Sequence, residues 1–263
     1  MTNFWLFLVG LLSVTEVMAW TNGRVSGDVE MSGTIQLESP SNPWEVLMGE
    51  GLSTVNISVP KGQATASIVL QENTPLLGIR TRGDNTTTFS GAKGITPQIS
   101  YRDLINSSKY PPGRLPFAVK VTNSSGDIEI GTLNFSLRAG AEVSSFSPAP
   151  ELSNGLRFSA FATKVGDAFY GGIARSRTEA DPNVRTMIGA RFPNYILNFN
   201  PQGLILAKTA RSISFNNPER TYSAYYGAGL GKGDVVTLKF NDNYKLTDED
   251  SWRARISVTV TYV

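Results

Sequence analysis

The 263-residue chain carries 24 basic and 22 acidic side chains, and its formal charge of +2 leaves no electrostatic footprint for nucleic acid. It contains no Cys and no His, which excludes disulfides, thiolate chemistry and cysteine metal sites, and removes the usual general base and the commonest metal ligand. Apolar residues at 40% suffice for a core, while 25 Gly and 14 Pro suit many short strands joined by turns, an all-β chain.

In chain order, Phe4 to Leu12 is an apolar run closely followed by Glu16. It is too short for the ~20 apolar residues of a membrane-spanning helix. Val17-Met18-Ala19 supplies the small or moderate residues of a cleavage site, so residues 1–19 read as an export signal and the mature chain starts at Trp20. Met1-Thr2-Asn3 departs from the pattern in having no Lys or Arg. Export without cysteine fits a bacterial periplasmic or surface protein. In such a chain the Asn-x-Ser/Thr triplets at Asn56, Asn85, Asn106, Asn123 and Asn134 are coincidences of composition.

Residues 25–35 alternate strictly: Val25, Gly27, Val29, Met31, Gly33 and Ile35 on one face, with Arg24, Ser26, Asp28, Glu30, Ser32 and Thr34 on the other. A period of two over this length predicts a strand. Its two glycines on the apolar face suit a place where another backbone or a narrow groove comes close. Further strands are predicted at 53–59, 65–71, 76–80, 115–122, 127–137, 195–200, 203–207, 221–226, 234–240 and 254–262, with Gly, Pro and Asn turns between them, a sandwich pattern. Two stretches predict helix instead. Ser100 and Asp103 resemble a capping box, and Phe158, Phe161, Ala162, Val165, Ala168 and Phe169 recur at helical spacing before Gly171-Gly172.

No stretch carries catalytic chemistry. Gly227 to Gly233 has the wrong spacing for a phosphate loop and reads as a turn before the strand at Val235. Asp242, Asp248, Glu249 and Asp250 lack the glycine and twelfth-position Glu of a calcium loop, and without His no Ser-His-Asp triad exists. No cofactor and no metal is expected. Tyr222, Tyr225 and Tyr226 are candidates for receptor contact through sugar stacking; ordinary half-buried packing is the competing reading.

Trp20-Thr-Asn-Gly23 with the alternating segment to Ile35, then Pro43-Trp44-Glu45 with Gly49-x-Gly51, and Gly94-Ile-Thr-Pro-Gln-Ile99 form one ordered set. Phe158-Ser-Ala-Phe-Ala162, Phe169-Tyr-Gly-Gly172, and Ser251-Trp252 leading to Val260-Thr-Tyr262 continue it. Together they resemble the FaeG-type fimbrial subunits of chaperone–usher fimbriae. The resemblance implies an incomplete immunoglobulin-like β-sandwich (36–263), with one or two short helices in insertions, preceded by an N-terminal donor-strand extension (20–35). A periplasmic chaperone would fill the missing-strand groove. At the outer-membrane usher, the extension of a neighbouring fimbrial subunit would replace the chaperone's strand, which is β-augmentation. On that pattern Val25, Gly27, Val29 and Met31 map onto the donor strand, and Ile256, Val258, Val260 and Tyr262 onto the C-terminal strand that pairs with the chaperone. One departure stands out: Asp248-Glu249-Asp250 occupies the neighbourhood where many such subunits carry a glycine. The resemblance thus implies a structural subunit of an adhesive surface fimbria, with a host glycoconjugate as a further candidate partner; the divergent export signal and modest length incline the reading to a minor subunit. The competing class is a self-contained secreted or periplasmic carbohydrate-binding sandwich, which would keep residues 20–35 in its own core.

Overall fold

The computed structural model describes residues 41–52, 57–60, 62–105, 107–149, 155–245 and 251–263. The segments assigned to the export signal and the donor strand, Val25, Gly27, Val29 and Met31 included, lie outside the described residues. So do Asp248, Glu249 and Asp250. Among the described residues no helix is long and apolar enough to cross a membrane.

The described residues form twelve strands: β1 (Trp44–Met48), β2 (Thr65–Val69), β3 (Thr74–Thr81), β4 (Phe89–Ser90), β5 (Pro97–Tyr101), β6 (Arg114–Asn123), β7 (Glu129–Phe146), β8 (Gly155–Ser159), β9 (Thr221–Leu230), β10 (Val235–Phe240), β11 (Trp252–Ala254) and β12 (Val258–Tyr262). All ladders between them are antiparallel. The larger sheet runs β1-β3-β9-β7-β10-β2, with β6 and β8 also on β7 and β11 on β6; β5 and β12 form a separate pair. The fold is an all-β sandwich, as the composition predicts.

β7 organises it. Its 18 residues change partners midway: the first half lies between β6 and β10, and the second half between β9 and β8. Leu133, Leu137, Ala141 and Val143 face inward along it and join Leu115, Phe117 and Val119 of β6 in the core. β5 closes the core from the other side. Its Tyr101 hydroxyl meets that of Tyr226 on β9 at 2.9 Å, a buried hydrogen bond linking the two sheets. At one end Trp44 donates its indole N–H to the Ile95 carbonyl at 2.6 Å and packs on Phe89, Phe169 and Phe215.

Several predicted elements are corrected. The apolar spacing at 158–169 is not a helix. Phe158 lies on β8 opposite Val143, and the chain then turns through Gly166 (φ 93), Phe169 (φ 61) and Gly171 (φ 83). Left-handed residues interrupt an α-helix, and Asp167 gathers the Thr163 and Lys164 amides into a tight loop instead. Ser100 opens no helix either, because the β5–β12 ladder takes up Ser100 and Tyr101, and the Arg102 N–H bonds the Ser257 carbonyl. Among the described residues the two helical pieces lie elsewhere, a π-helical turn at Arg185–Gly189 and a 3-10 turn at Pro193–Tyr195.

Neither 195–200 nor 203–207 is a strand; Tyr195 and Phe199 anchor a side cluster with Val184, Ile188 and Phe192 against the outside of β9. Gly227 and Gly229 are not in a turn but inside β9, and the turn begins after Leu230. Their bare faces let the side cluster come close: a Cβ on Gly227 would lie 2.5 Å from Ile188 Cγ2, and one on Gly229 would collide with the Phe192 ring. In 53–59, residues 53–56 lie outside the described residues and 57–59 form no strand.

Candidate functional site

The alternation at 254–262 predicts one strand, but the structure makes two. β11 pairs with β6, the chain crosses to the other sheet through Ile256, and β12 then pairs with β5. β12 consists of Val, Thr and Tyr, residues that favour a pleated, half-buried surface. Val258, Val260 and Tyr262 are half-buried and pack with Ile256 on the core, while Thr259 and Thr261 are exposed.

Backbone direction matters as much as side-chain direction. Thr96 and Val263 exchange both hydrogen bonds at 3.1 Å, and the Arg102 N–H donates to the Ser257 carbonyl at 3.2 Å. In an antiparallel pair such bonds recur at every second residue. Ser257, Thr259, Thr261 and Val263 therefore bond β5, and Val258, Val260 and Tyr262 turn their N–H and C=O groups away from it. Among the described residues β12 has no partner on that outer edge. The same three residues thus present an apolar side chain to the core and an open backbone pair to one side.

The far edge of β5 is closed. The Phe169 N–H donates to the Pro97 carbonyl at 2.8 Å, and the Ile99 N–H donates to the Tyr170 carbonyl at 2.8 Å. Pro97 has no N–H to leave unpaired. The Gln98 amide donates to the Asp167 carbonyl at 3.0 Å, and its oxygen accepts from the Gly166 N–H at 3.1 Å. At Gly171 and Gly172 any Cβ would strike Ile99, so both positions require the absence of a side chain. Sequence reading missed this closure. Its signals are the Pro97 that opens β5 and the paired glycines.

Beneath the pair the core is aromatic. Tyr101 packs edge-on to Phe117 at 5.2 Å, and Tyr226 stacks on Phe169 at 5.7 Å. Burial pushes both hydroxyls of the Tyr101–Tyr226 pair well above the ordinary tyrosine value, so both stay protonated and hydrogen-bonded.

The three tyrosines proposed for receptor contact are corrected here. Tyr222, Tyr225 and Tyr226 are 1%, 0% and 0% exposed. Tyr222 packs on Phe89 and Phe215, Tyr225 donates its hydroxyl to Glu142 at 2.6 Å, and Tyr226 pairs with Tyr101. None presents a ring to solvent. The small residues around them (Ser223, Ala224, Gly227, Ala228, Gly229) mark a central strand covered on both faces, which leaves no half-open platform.

The family described as "Fimbrial, major and minor subunit" matches residues 2–263. The K88 minor fimbrial subunit FaeI of Escherichia coli is 24% identical over 270 residues, covering 99% of this chain and 98% of that protein. The F41 fimbrial protein of Escherichia coli is 26% identical over 273 residues, covering 92% of this chain and 91% of its own length. Matched over residues 2–263, this all-β chain belongs to the family of fimbrial major and minor subunits.

Proposed function

We propose that the chain is a minor structural subunit of an adhesive surface fimbria, assembled by the chaperone–usher pathway through donor-strand exchange. The observation that carries this reading is the outer edge of β12. Val258, Val260 and Tyr262 offer backbone groups with no partner among the described residues, and half-buried apolar side chains, in one row, a template for strand addition. In this reading a periplasmic chaperone covers the edge first. At the outer-membrane usher, residues 20–35 of the next subunit replace it, setting Val25, Val29 and Met31 into the groove and Gly27 at its narrowest point. The fibre then stands on the cell surface, where it contacts host glycoconjugates. The resemblance of nearly the whole chain to a minor subunit supports the minor assignment.

The test pairs a donor variant with an acceptor variant. Val29→Asp should leave the chaperone-bound subunit intact and abolish its incorporation into fibres, since the charge would be buried only on assembly. Val258→Asp should also reduce capture by the chaperone, because it alters the edge that both partners use. Loss of the chaperone-bound form in Val29→Asp would place residues 25–31 inside the subunit's own core and favour a self-contained sandwich.

A further inference from the structure

A second feature lies on other strands. Arg114 on β6 and Arg138 on β7 are direct cross-strand partners. Like charges in that position repel. Asp234, at the turn into β10, separates them. Arg138 donates through Nε to Oδ2 at 3.0 Å and through Nη2 to Oδ1 at 2.6 Å; Arg114 adds a bond to Oδ1 at 3.1 Å. The Gly231 N–H donates to Oδ2 at 2.7 Å. Burial alone would raise the Asp234 carboxyl, but these hydrogen bonds outweigh it and hold it below the ordinary aspartate value.

A third guanidinium joins the group. The Nε atoms of Arg138 and Arg191 both stand 2.8 Å from where a Cβ on Gly231 would be. Arg191 donates Nη1 to the Met187 carbonyl at 3.2 Å and, among the described residues, forms no ion pair. Its pKa is lowered by burial first and by Arg138 second, with Asp234 opposing. Three cations therefore share one carboxylate whose oxygens are already engaged. Beside them lies an open surface depression of about 500 Å³ lined by Arg114, Asp234, Pro116, Asn134 and Ser136 among others. That volume suits a small ligand. Arg114 also donates Nη1 to the Ser136 carbonyl and Asn134 donates its amide nitrogen to the Thr132 carbonyl, each at 3.3 Å, so a ligand would meet the remaining guanidinium N–H groups, the Asn134 oxygen and the Ser136 hydroxyl.

We propose that this depression binds an acidic saccharide, its carboxylate or sulfate ester set against Arg114 in the positive field that Arg138 and Arg191 add, its hydroxyls meeting Asn134 and Ser136. The site uses neither β5 nor β12, so its success or failure is separable from that of strand exchange.

The experiment titrates the soluble full chain recovered from the periplasm with 3′-sialyllactose, 3′-sulfolactose, lactose and inorganic sulfate. At least one acidic sugar should bind about tenfold or more tighter than lactose, as a charge-assisted contact predicts. It should also bind tighter than inorganic sulfate, and its affinity should fall with added salt. Arg191→Gln, which leaves the partners of Asp234 in place, should weaken that sugar severalfold without changing lactose. Arg114→Lys, which keeps the charge but loses the fork, should do the same if Arg191→Gln loosens the neighbouring turn. Equal binding of lactose and its acidic forms would overturn the proposal, as would sulfate binding as tightly as the sugars. Unchanged affinity in a folded Arg191→Gln chain, or no binding by any probe, would overturn it too.

Discussion

Along β9 every residue from Tyr222 to Leu230 is buried, whereas along β12 no residue is. Both strands are antiparallel and rich in tyrosine and small or β-branched residues. β9 has β3 and β4 on one edge and β7 on the other, the Phe-rich core on one face and the cluster of Ile188, Phe192 and Tyr195 on the opposite face. Among the described residues β12 has β5 alone. The difference teaches where exchange can occur. A strand sealed on two edges and two faces offers nothing to a partner, and its substitutions act on stability. A strand sealed on one edge and one face keeps capacity for another chain.

The sealed region should break hardest at Glu142. This β7 carboxylate is fully buried opposite Tyr225 and accepts from Arg157 Nε and the Tyr225 hydroxyl, both at 2.6 Å. Arg157 and Arg185 also lie over the Phe199 ring. Glu142→Leu leaves the Arg157 charge and the Tyr225 hydroxyl without their partner, and removal of one member of a buried pair costs ~3–5 kcal/mol. Denaturant unfolding of the soluble chain, compared with the parent, measures it. Arg185→Ala is the contrast: its side chain is more exposed and 3.8 Å from Glu142, so its loss should cost less than about 1 kcal/mol.

Gly227→Val attacks the same region from its outer face. The new side chain would meet Ile188 and Tyr195, and overpacking of this kind costs about 1–3 kcal/mol. The Tyr195 hydroxyl, buried with no hydrogen-bond partner among the described residues and pushed up to about 12 by burial, reports on the outcome. If the side cluster is displaced, Tyr195 should titrate near the ordinary tyrosine value in ultraviolet difference spectra. An unchanged stability and titration would mean that the cluster does not press on β9.

How far these regions were legible depends on what the residues had to meet. The alternation at 115–122 and 234–240 announces β6 and β10 because each buries one face and wets the other. β9 was legible only in its first half, since burial on both faces erases the alternation. The switch of sheets at Ile256 has no local signal, because the pattern of period two continues across it while the ladder partner changes. The 158–169 segment misled because Phe158, Ala162, Ala168 and Phe169 reach the core from β8 and from a loop held by Asp167, while Val165, at the same spacing, is exposed. The alternating residues of β12 were legible in the candidate site, but the closure of β5 by residues 169–171 depends on long-range contact.

A smaller effect tests the end of the sealed strand. Asp234 ties the turn after β9 to Arg114 and Arg138, and its carboxyl is held below the ordinary value. A group whose folded pKa is depressed adds stability above its unfolded pKa of about 3.9, and this is lost as pH falls through the folded value. Asp234→Asn should therefore be less stable than the parent at neutral pH by about 1–2 kcal/mol, with the gap narrowing in strong acid. Thermal unfolding between neutral pH and strong acid checks the sign. A gap that widens on acidification would refute it.

The gentlest probe changes no residue and compares neighbouring amides on β12. The N–H groups of Val258, Val260 and Tyr262 point away from β5, whereas those of Thr259, Thr261 and Val263 lie in the ladder. Before any strand is added, the outward set should exchange with solvent at least about tenfold faster than the inward set, since exchange reports on local hydrogen bonding. Once the subunit is in a fibre, the outward set should slow to the rate of its neighbours, because an added strand bonds every second residue of the edge. The inward set should change little, which separates strand addition from a general stiffening of the chain. Residue-resolved exchange on the unassembled and assembled forms reads both. Uniform protection along β12 before assembly would mean that the outer edge is already occupied, and the contrast drawn between β9 and β12 would disappear.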